Sequence, residues 1–310
     1  MLGVTTGDAN GVGPEILVRA YAEGAIEDDF LVYGDRSVIE YAADRLGLST
    51  SLAREIPIMD QGILERTDIT PGELSTKVGA AAANYVVAAT HDALAQKLDA
   101  IVTLPMNKEA TRASRPDFSG HTELIAKVCG NPPVTMMLAS DQLIVTHVST
   151  HVALRRAIEL ATIERILEVI RLTHDAVRRL RPQARIAVAG INPHAGEHGA
   201  FGTEDDAQIR PAVEQARREG MDVSGPEPGD TVFFNTVRRD RFDAVVCMYH
   251  DQGHIPMKTL DFDGGVNATL GLPIVRTSVD HGTAYDIAYQ GKANTRSFLL
   301  AMKMATRLGG

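Results

Sequence analysis

The feature that most narrows the fold of this chain is a repeated pair of patterns. A short apolar run without polar alternation is followed by a longer stretch of helical periodicity. Leu2–Thr6, Ala100–Leu104, Arg185–Gly190 and Ala244–Met248 are runs of the first kind. A strand that is apolar on both faces is covered on both faces, as in parallel sheets flanked by helices. The helical stretches are one opening at Pro14, Ser37–Leu46, the Ala-rich Thr76–Lys97, Ala161–Arg181 ended by Pro182, Glu204–Glu219 ended by Gly220, and Arg296–Leu308. This alternation predicts an α/β fold. Phe30–Tyr33 and Pro273–Arg276 add two strands. Val134–Ala139 and Leu143–Ser149 are separated only by Ser140-Asp141-Gln142, the spacing of an antiparallel hairpin, so a mixed sheet is expected. A chain of 310 residues suits one large or two medium domains, and 44% hydrophobic against 23% charged residues provides a substantial core.

Charge and cysteine content restrict the partners. Lys and Arg number 31 against 40 Asp and Glu, a formal charge of −9. That excludes nonspecific nucleic-acid binding, which needs a basic footprint, and polybasic contact with a membrane. Cys129 and Cys247 belong to no C-x-x-C pair, so no disulfide framework is expected and a reducing cytoplasm is the simplest setting. The opening Met1–Asp8 lacks the basic and apolar regions of a signal peptide. The longest uncharged helical stretch, Val78–Thr90, is too short to span a bilayer.

Two glycine-rich loops stand out. Gly7-Asp8-Ala9-Asn10-Gly11-Val12-Gly13-Pro14-Glu15 is not G-x-G-x-x-G and lacks the Lys-Ser/Thr of a phosphate-binding loop. Its glycines permit close backbone approach to an anion, or serve only a tight strand-to-helix turn. The second runs from His281 to Asn294. Its polar groups among small residues could hold a flat ring and a ribose, and an ordered loop without a ligand is the plainer reading.

Ten histidines are present, and three, His151, His194 and His250, follow strand-like runs. In α/β sheets ligand sites gather at the carboxyl ends of strands. Three imidazoles converging there would hold Zn²⁺ or a similar ion with one position open. Their wide separation means that the fold or a second copy must assemble them; each could equally be a capped or core histidine. His250 and His254 could share a helix face, but Gly253 and Pro256 argue against a helix. The facing of His147 is open, and His91 and His174 read as plain helical residues.

Lys258, Asn267 and Arg276 follow His250. An Arg ending an apolar strand needs a partner, since a buried unpaired charge is costly. An internal carboxylate would serve, as would a bound carboxylate or phosphate. Thr122, in Gly120-His121-Thr122-Glu123, could cap a helix whose N-terminus binds an anion, or cap it only.

Taken together, Gly7–Glu15, Asn107-Lys108-Glu109, Gly120–Glu123, Ser149-Thr150-His151, Asn192-Pro193-His194-Ala195-Gly196, Met248-Tyr249-His250-Asp251-Gln252-Gly253, and Gly265-Val266-Asn267 through Asn294 resemble the 4-hydroxythreonine-4-phosphate dehydrogenase (PdxA) family over nearly the whole chain. The resemblance implies a two-domain isocitrate/isopropylmalate dehydrogenase-like α/β fold with mixed sheets and an active site in the interdomain cleft. It implies a discontinuous nucleotide-binding domain, residues 1–114 and 265–310, and a metal, substrate and dimerisation domain, residues 115–264. It implies NAD or NADP without a Rossmann fingerprint, the adenosine part falling on His281, Gly282, Thr283, Ala284, Asp286, Ile287 and Asn294. One divalent ion (Zn, Mg, Mn or Co) falls on His151, His194 and His250, one of them contributed by the second subunit of a homodimer. Substrate contacts fall on His121, Thr122, Lys258, Asn267 and Arg276, with Lys258 and Asp230 as candidate catalytic groups. The implied reaction oxidises a small anionic 3-hydroxy acid to a 3-keto acid that can lose CO₂.

The opening loop departs from the family's usual Gly-Asp-Pro-Ala-Gly by carrying Ala9 and Asn10. The Asn107-Lys108-Glu109 and Val148-Ser149-Thr150-His151 segments look more like the paralogous branch acting on 4-phospho-D-threonate or 4-phospho-D-erythronate. The alternatives are an aromatic cis-dihydrodiol dehydrogenase of terephthalate breakdown, a metal hydrolase using three histidines and a water, and a non-catalytic binding homologue. The hydrolase leaves the His281–Asn294 loop unexplained. The non-catalytic homologue predicts lost ligands, yet all three histidines, Lys258 and Arg276 are present.

Overall fold

A computed structural model describes residues 1–262 and 264–310. The chain divides into two compact units, Met1–Pro133 with Leu272–Gly310, and Val134–Gly271.

The first unit opens with β1 (Leu2–Thr5), α1 (Gly13–Ala22), β2 (Phe30–Gly34), α2 (Arg36–Arg45), α3 (Thr50–Glu55), β3 (Ile58–Asp60), α4 (Thr76–Leu94), β4 (Ala100–Thr103), α5 (Lys108–Ser114) and α6 (His121–Val128). The second unit holds β5 (Thr135–Ala139), β6 (Ile144–His147), α7 (Leu154–Leu160), α8 (Ile163–Leu180), β7 (Ile186–Ala189), α9 (Arg210–Arg218), β8 (Val223–Glu227), α10 (Val232–Val237), β9 (Ala244–Cys247), α11 (His250–Leu260) and β10 (Val266–Leu270). The chain then returns to the first unit with β11 (Val275–Val279) and α12 (Arg296–Gly309).

In the first unit the strands run in the order β3-β2-β1-β4-β11, all parallel. Every residue of β1 and β4 is buried, as their unbroken apolar character demands. The Ala-rich α4 carries the small side chains that close packing requires. A Cβ on its Gly79 would lie 2.4 Å from the Ala110 carbonyl carbon in α5. In the second unit the order is β10-β5-β6-β9-β7-β8, with β10, β5 and β6 antiparallel and the rest parallel. The α/β fold, the mixed pairing and the Val134–Ser149 hairpin expected from the sequence are therefore all present. Val169, Ile170, Val213 and Val246 build one core of this unit, and Leu138, Phe242, Val245 and Met257 another.

Three local readings differ. The units part at 133/134 and 271/272 rather than at 114/115 and 264/265. The segment after residue 114 stays with the first unit because α6 packs on α4, and residues up to 270 stay with the second because β10 pairs with β5. The expected helix Glu204–Glu219 begins with a π-helical segment, Asp205–Ile209, before α9. Residues 250–260 form α11 despite Gly253 and Pro256. Pro256 costs one backbone hydrogen bond, but Met257 is buried in the core and Gly253 is where the helix meets its neighbours. A Cβ there would lie 2.5 Å from His147 Nε2 and 3.0 Å from Cys247 Sγ. Among the described residues no helix is long and apolar enough to cross a membrane.

Candidate functional site

Four histidines of the second unit, His147, His151, His250 and His254, gather at the ends of β6 and β9. His250 begins α11 directly after β9, and the His151 ring lies 5.5 Å from the His250 ring, centroid to centroid. Both open on a pocket of about 260 Å³ that Asp251 and Tyr249 also line. His250 Nδ1 lies 2.7 Å from Asp251 Oδ1, which leaves Nε2 as the nitrogen open to a ligand. His254 stacks on His250 at 3.6 Å and 11°, and its Nδ1 lies 3.1 Å from His147 Nε2. His147 is buried with Nδ1 3.3 Å from the Met136 carbonyl. Burial, and then the neighbouring His254, pull its pKa down to about 3. A neutral His147 that donates from Nδ1 must accept at Nε2, so His254 donates from Nδ1. The sequence left the facing of His147 open and gave His254 no role. The missed signal was Gly253, the one residue small enough to let the two rings meet.

His194 lies elsewhere in the same unit. It lines a pocket of about 820 Å³ with Asn192, Asp230, Phe234, Tyr249, Asp251, Gln252 and Ile255. Asp230 sits exposed on its rim, and Gln252 ties its wall together by donating to the Gly190 carbonyl at 2.7 Å. Residues 194–198 all adopt left-handed φ, at 52°, 53°, 79°, 42° and 55°. Only Gly196 adopts such a conformation freely; the others cost about 1–2 kcal/mol each.

The donor chemistry fits a divalent ion of borderline softness, since two imidazoles and a carboxylate face one pocket. Among the described residues no three His, Cys, Asp or Glu side chains gather in a metal-holding group. The structure thus brings His151 and His250 together and places His194 on a different pocket.

The first unit concentrates buried polar groups around the start of α6. Arg276, on β11, is buried and donates to Thr103 Oγ1 from Nε at 3.2 Å and from Nη2 at 2.8 Å. Burial pulls the guanidinium down to about 10, against the Glu123 carboxylate, which favours the charge. His121, the first residue of α6, is pulled down to about 3 by burial and then by Arg276; a hydrogen bond to the Leu104 carbonyl opposes this. Its Nε2 is buried with no hydrogen-bond partner. Thr122 is the second residue of this helix, whose N-cap is Gly120, so it does not cap the helix as the sequence suggested. In the second unit, Asn267 Oδ1 on β10 is likewise buried without a partner. Lys258, on α11, lies with its Nζ 5.0 Å from the Phe262 ring centroid.

The two glycine-rich loops of the first unit fasten each other. Val12 N donates to the Thr283 carbonyl at 3.0 Å, and a Cβ on Gly11 would lie 2.9 Å from that oxygen. Tyr285 donates to Asp8 Oδ2 at 2.8 Å, and the buried Tyr289 hydroxyl donates to the Ala9 carbonyl at 2.5 Å. Burial raises the Asp8 pKa against its hydrogen bonds to Asn10, Tyr285 and Asn107. Glu15 Oε1 accepts from Ala293 N at 3.1 Å. Gly11 therefore serves the packing of the two loops. Asn10, one of the departures, donates to the Glu73 carbonyl at 2.8 Å and accepts from Thr70 N at 2.9 Å, latching a neighbouring segment. The second loop is thereby held rigid while His281, Gly282, Asp286 and Asn294 stay exposed, and Thr283, Ala284 and Ile287 are half-buried. A rigid loop with an exposed polar rim is compatible with a nucleotide.

The similarity to known proteins is close. A model of the family described as "Pyridoxal phosphate biosynthetic protein PdxA" matches residues 27–305. A D-threonate 4-phosphate dehydrogenase of Cupriavidus necator is 44% identical, over 99% of this chain and 97% of the relative. A crystal structure of a 4-hydroxythreonine-4-phosphate dehydrogenase from Klebsiella pneumoniae superposes with TM-score 0.89 at 38% identity, covering 100% of this chain and 99% of that one. A terephthalate 1,2-cis-dihydrodiol dehydrogenase from Burkholderia xenovorans aligns over 99% and 97% of the two chains, with TM-score 0.75 at 29% identity. The long motifs, the α/β architecture and this match along almost the entire length establish that the chain belongs to the PdxA family.

Proposed function

We propose that the protein is an NAD(P)-dependent, divalent-metal-dependent dehydrogenase that oxidises the secondary alcohol of a small 4-phosphorylated hydroxy acid. Candidates are 4-phospho-D-threonate, 4-phospho-D-erythronate and 4-phosphohydroxy-L-threonine. The observation that carries the reading is the polar cluster at the start of α6, where the buried cationic Arg276 lies near a buried His121 Nε2 that has no hydrogen-bond partner.

Arg276 and the Thr122 end of α6 bind and orient the anionic group, since a guanidinium and a helix N-terminus both favour an oxyanion. His121, neutral and donating to Leu104, accepts from a substrate hydroxyl at Nε2. Asn267 Oδ1 is a second acceptor. Lys258 anchors a carboxylate or carries a proton, and Asp230 receives one on the pocket rim. His151, His194 and His250 hold the metal, one of the three coming from a second copy of the chain. When bound, the ion supplies Lewis-acid polarisation of the alcohol oxygen and the nicotinamide supplies a hydride acceptor. His281, Gly282, Thr283, Ala284, Asp286, Ile287 and Asn294 bind the adenosine part. The homodimer is further supported by Leu154, Ile158, Phe234 and Ile255, large apolar side chains exposed on the second unit.

The test is NAD⁺ and NADP⁺ reduction with the three phosphorylated acids and a terephthalate dihydrodiol, each with Zn²⁺, Mg²⁺ or Mn²⁺. Turnover of a phosphorylated acid supports the reading. Turnover of the dihydrodiol alone transfers the assignment to the aromatic branch, and turnover of none of the four contradicts it.

A further inference from the structure

The segment carrying His194 is held by a residue to which neither the motif nor the family resemblance gives a role. Five consecutive left-handed residues persist only where their surroundings over-determine them. Here the surroundings converge on Asp205, which is fully buried. Its Oδ1 accepts from Ile191 N at 2.8 Å, and its Oδ2 accepts from Asn192 N at 3.2 Å and from the Asn192 side-chain amide at 2.9 Å. The same amide donates to Glu204 Oε2 at 2.8 Å. Asn192 is where the chain enters the turn, and Ala195 N returns to its carbonyl at 3.1 Å. The turn packs back onto the acid, since a Cβ on Gly196 would meet Asp205 Oδ2 at 3.4 Å. Asp205 in turn opens the π-helical segment before α9, a rare geometry that recurs at functional positions.

A buried carboxylate is expensive to desolvate and is retained where its acceptors are needed. Here a single acid fixes both residues that lead into the turn. We propose that Asp205 is the positioning residue for His194: its carboxylate clamps residues 191 and 192, imposes the left-handed turn, and so holds the His194 imidazole in the pocket wall before any metal arrives. This rests on the reading of His194 as a metal ligand. Its consequence is that the conformational cost of presenting the imidazole is met during folding, which tightens metal binding without adding a ligand.

The experiment is Zn²⁺ binding to the full-length protein in its native oligomeric state, measured against a chelating competitor. Circular dichroism reports the fold of each variant. His194→Ala tests the ligand reading, and wild-type affinity in that variant would remove both the ligand and this inference. With His194→Ala impaired, Asp205→Asn is expected to weaken Zn²⁺ 10–100-fold, the range for outer-shell partners. Wild-type affinity in Asp205→Asn overturns the inference and leaves the ligand in place. His198→Gly, which relieves one left-handed residue, separates a positioning role from a merely structural one. It is expected to raise the melting temperature and to restore part of the affinity lost in Asp205→Asn. A lower melting temperature in His198→Gly contradicts the inference. Should Asp205→Asn not fold, Asn192→Ala removes one of the three donors. Weaker Zn²⁺ binding then supports the clamp, and unchanged binding overturns it.

Discussion

At the scale of single residues, His121 couples the site to pH. Its pKa is held at about 3 against an ordinary 6.5, burial being the main cause. The unfolded chain takes up the proton first, so this group's contribution to stability is complete above about pH 6.5 and is lost as pH falls from there toward 3. Thermal melts of His121→Gln across that window are expected to decline less steeply than those of the wild type. An equally steep decline in both would contradict the assignment. Arg276 could be picked out in the sequence because a charged residue ending an apolar strand needs a partner, whereas His121 came only with the family resemblance. Asp205 could not be picked out. It stands in Glu204-Asp205-Asp206, a run that reads as the solvated start of a helix, and only the buried turn it anchors sets it apart.

Among the elements, α11 shows how tertiary packing overrides local preference. Glycine and proline argue against a helix at residues 250–260, and on propensity alone that argument is sound. The helix forms because Met257 is buried in the core of the second unit and because Gly253 admits the His147 ring. Gly253→Ala, ordinarily a helix-stabilising change, is therefore expected to destabilise the protein by about 1–3 kcal/mol through overpacking. Chemical denaturation would measure it, and a gain in stability would show that the ring contact is unimportant. The strands of both units were legible because burial on two faces leaves an unbroken apolar signature. Short elements such as β3 and β8 were not, because their mostly exposed or half-buried residues carry no strong period.

For the whole molecule, the chain's path out of the first unit and back again was legible only through the family resemblance, because no linker or change of composition marks either crossing. The net charge of −9 argues against nucleic acid, yet the proposed substrate and cofactor are both anions. What matters is the local density of cationic and polar groups, such as the cluster of Arg276, His121 and the α6 N-terminus in the first unit. The central claim is that the histidines hold a metal required for oxidation of a phosphorylated hydroxy acid. The most direct test strips the protein with a chelator and follows NAD(P)H formation from 4-phospho-D-threonate, 4-phospho-D-erythronate or 4-phosphohydroxy-L-threonine as a divalent ion is added back, in wild type and in His250→Ala. The account predicts no turnover in the stripped wild type, recovery on adding the ion, and none in His250→Ala at any ion concentration. Full turnover in the stripped protein, or recovery in His250→Ala equal to the wild type, would contradict it.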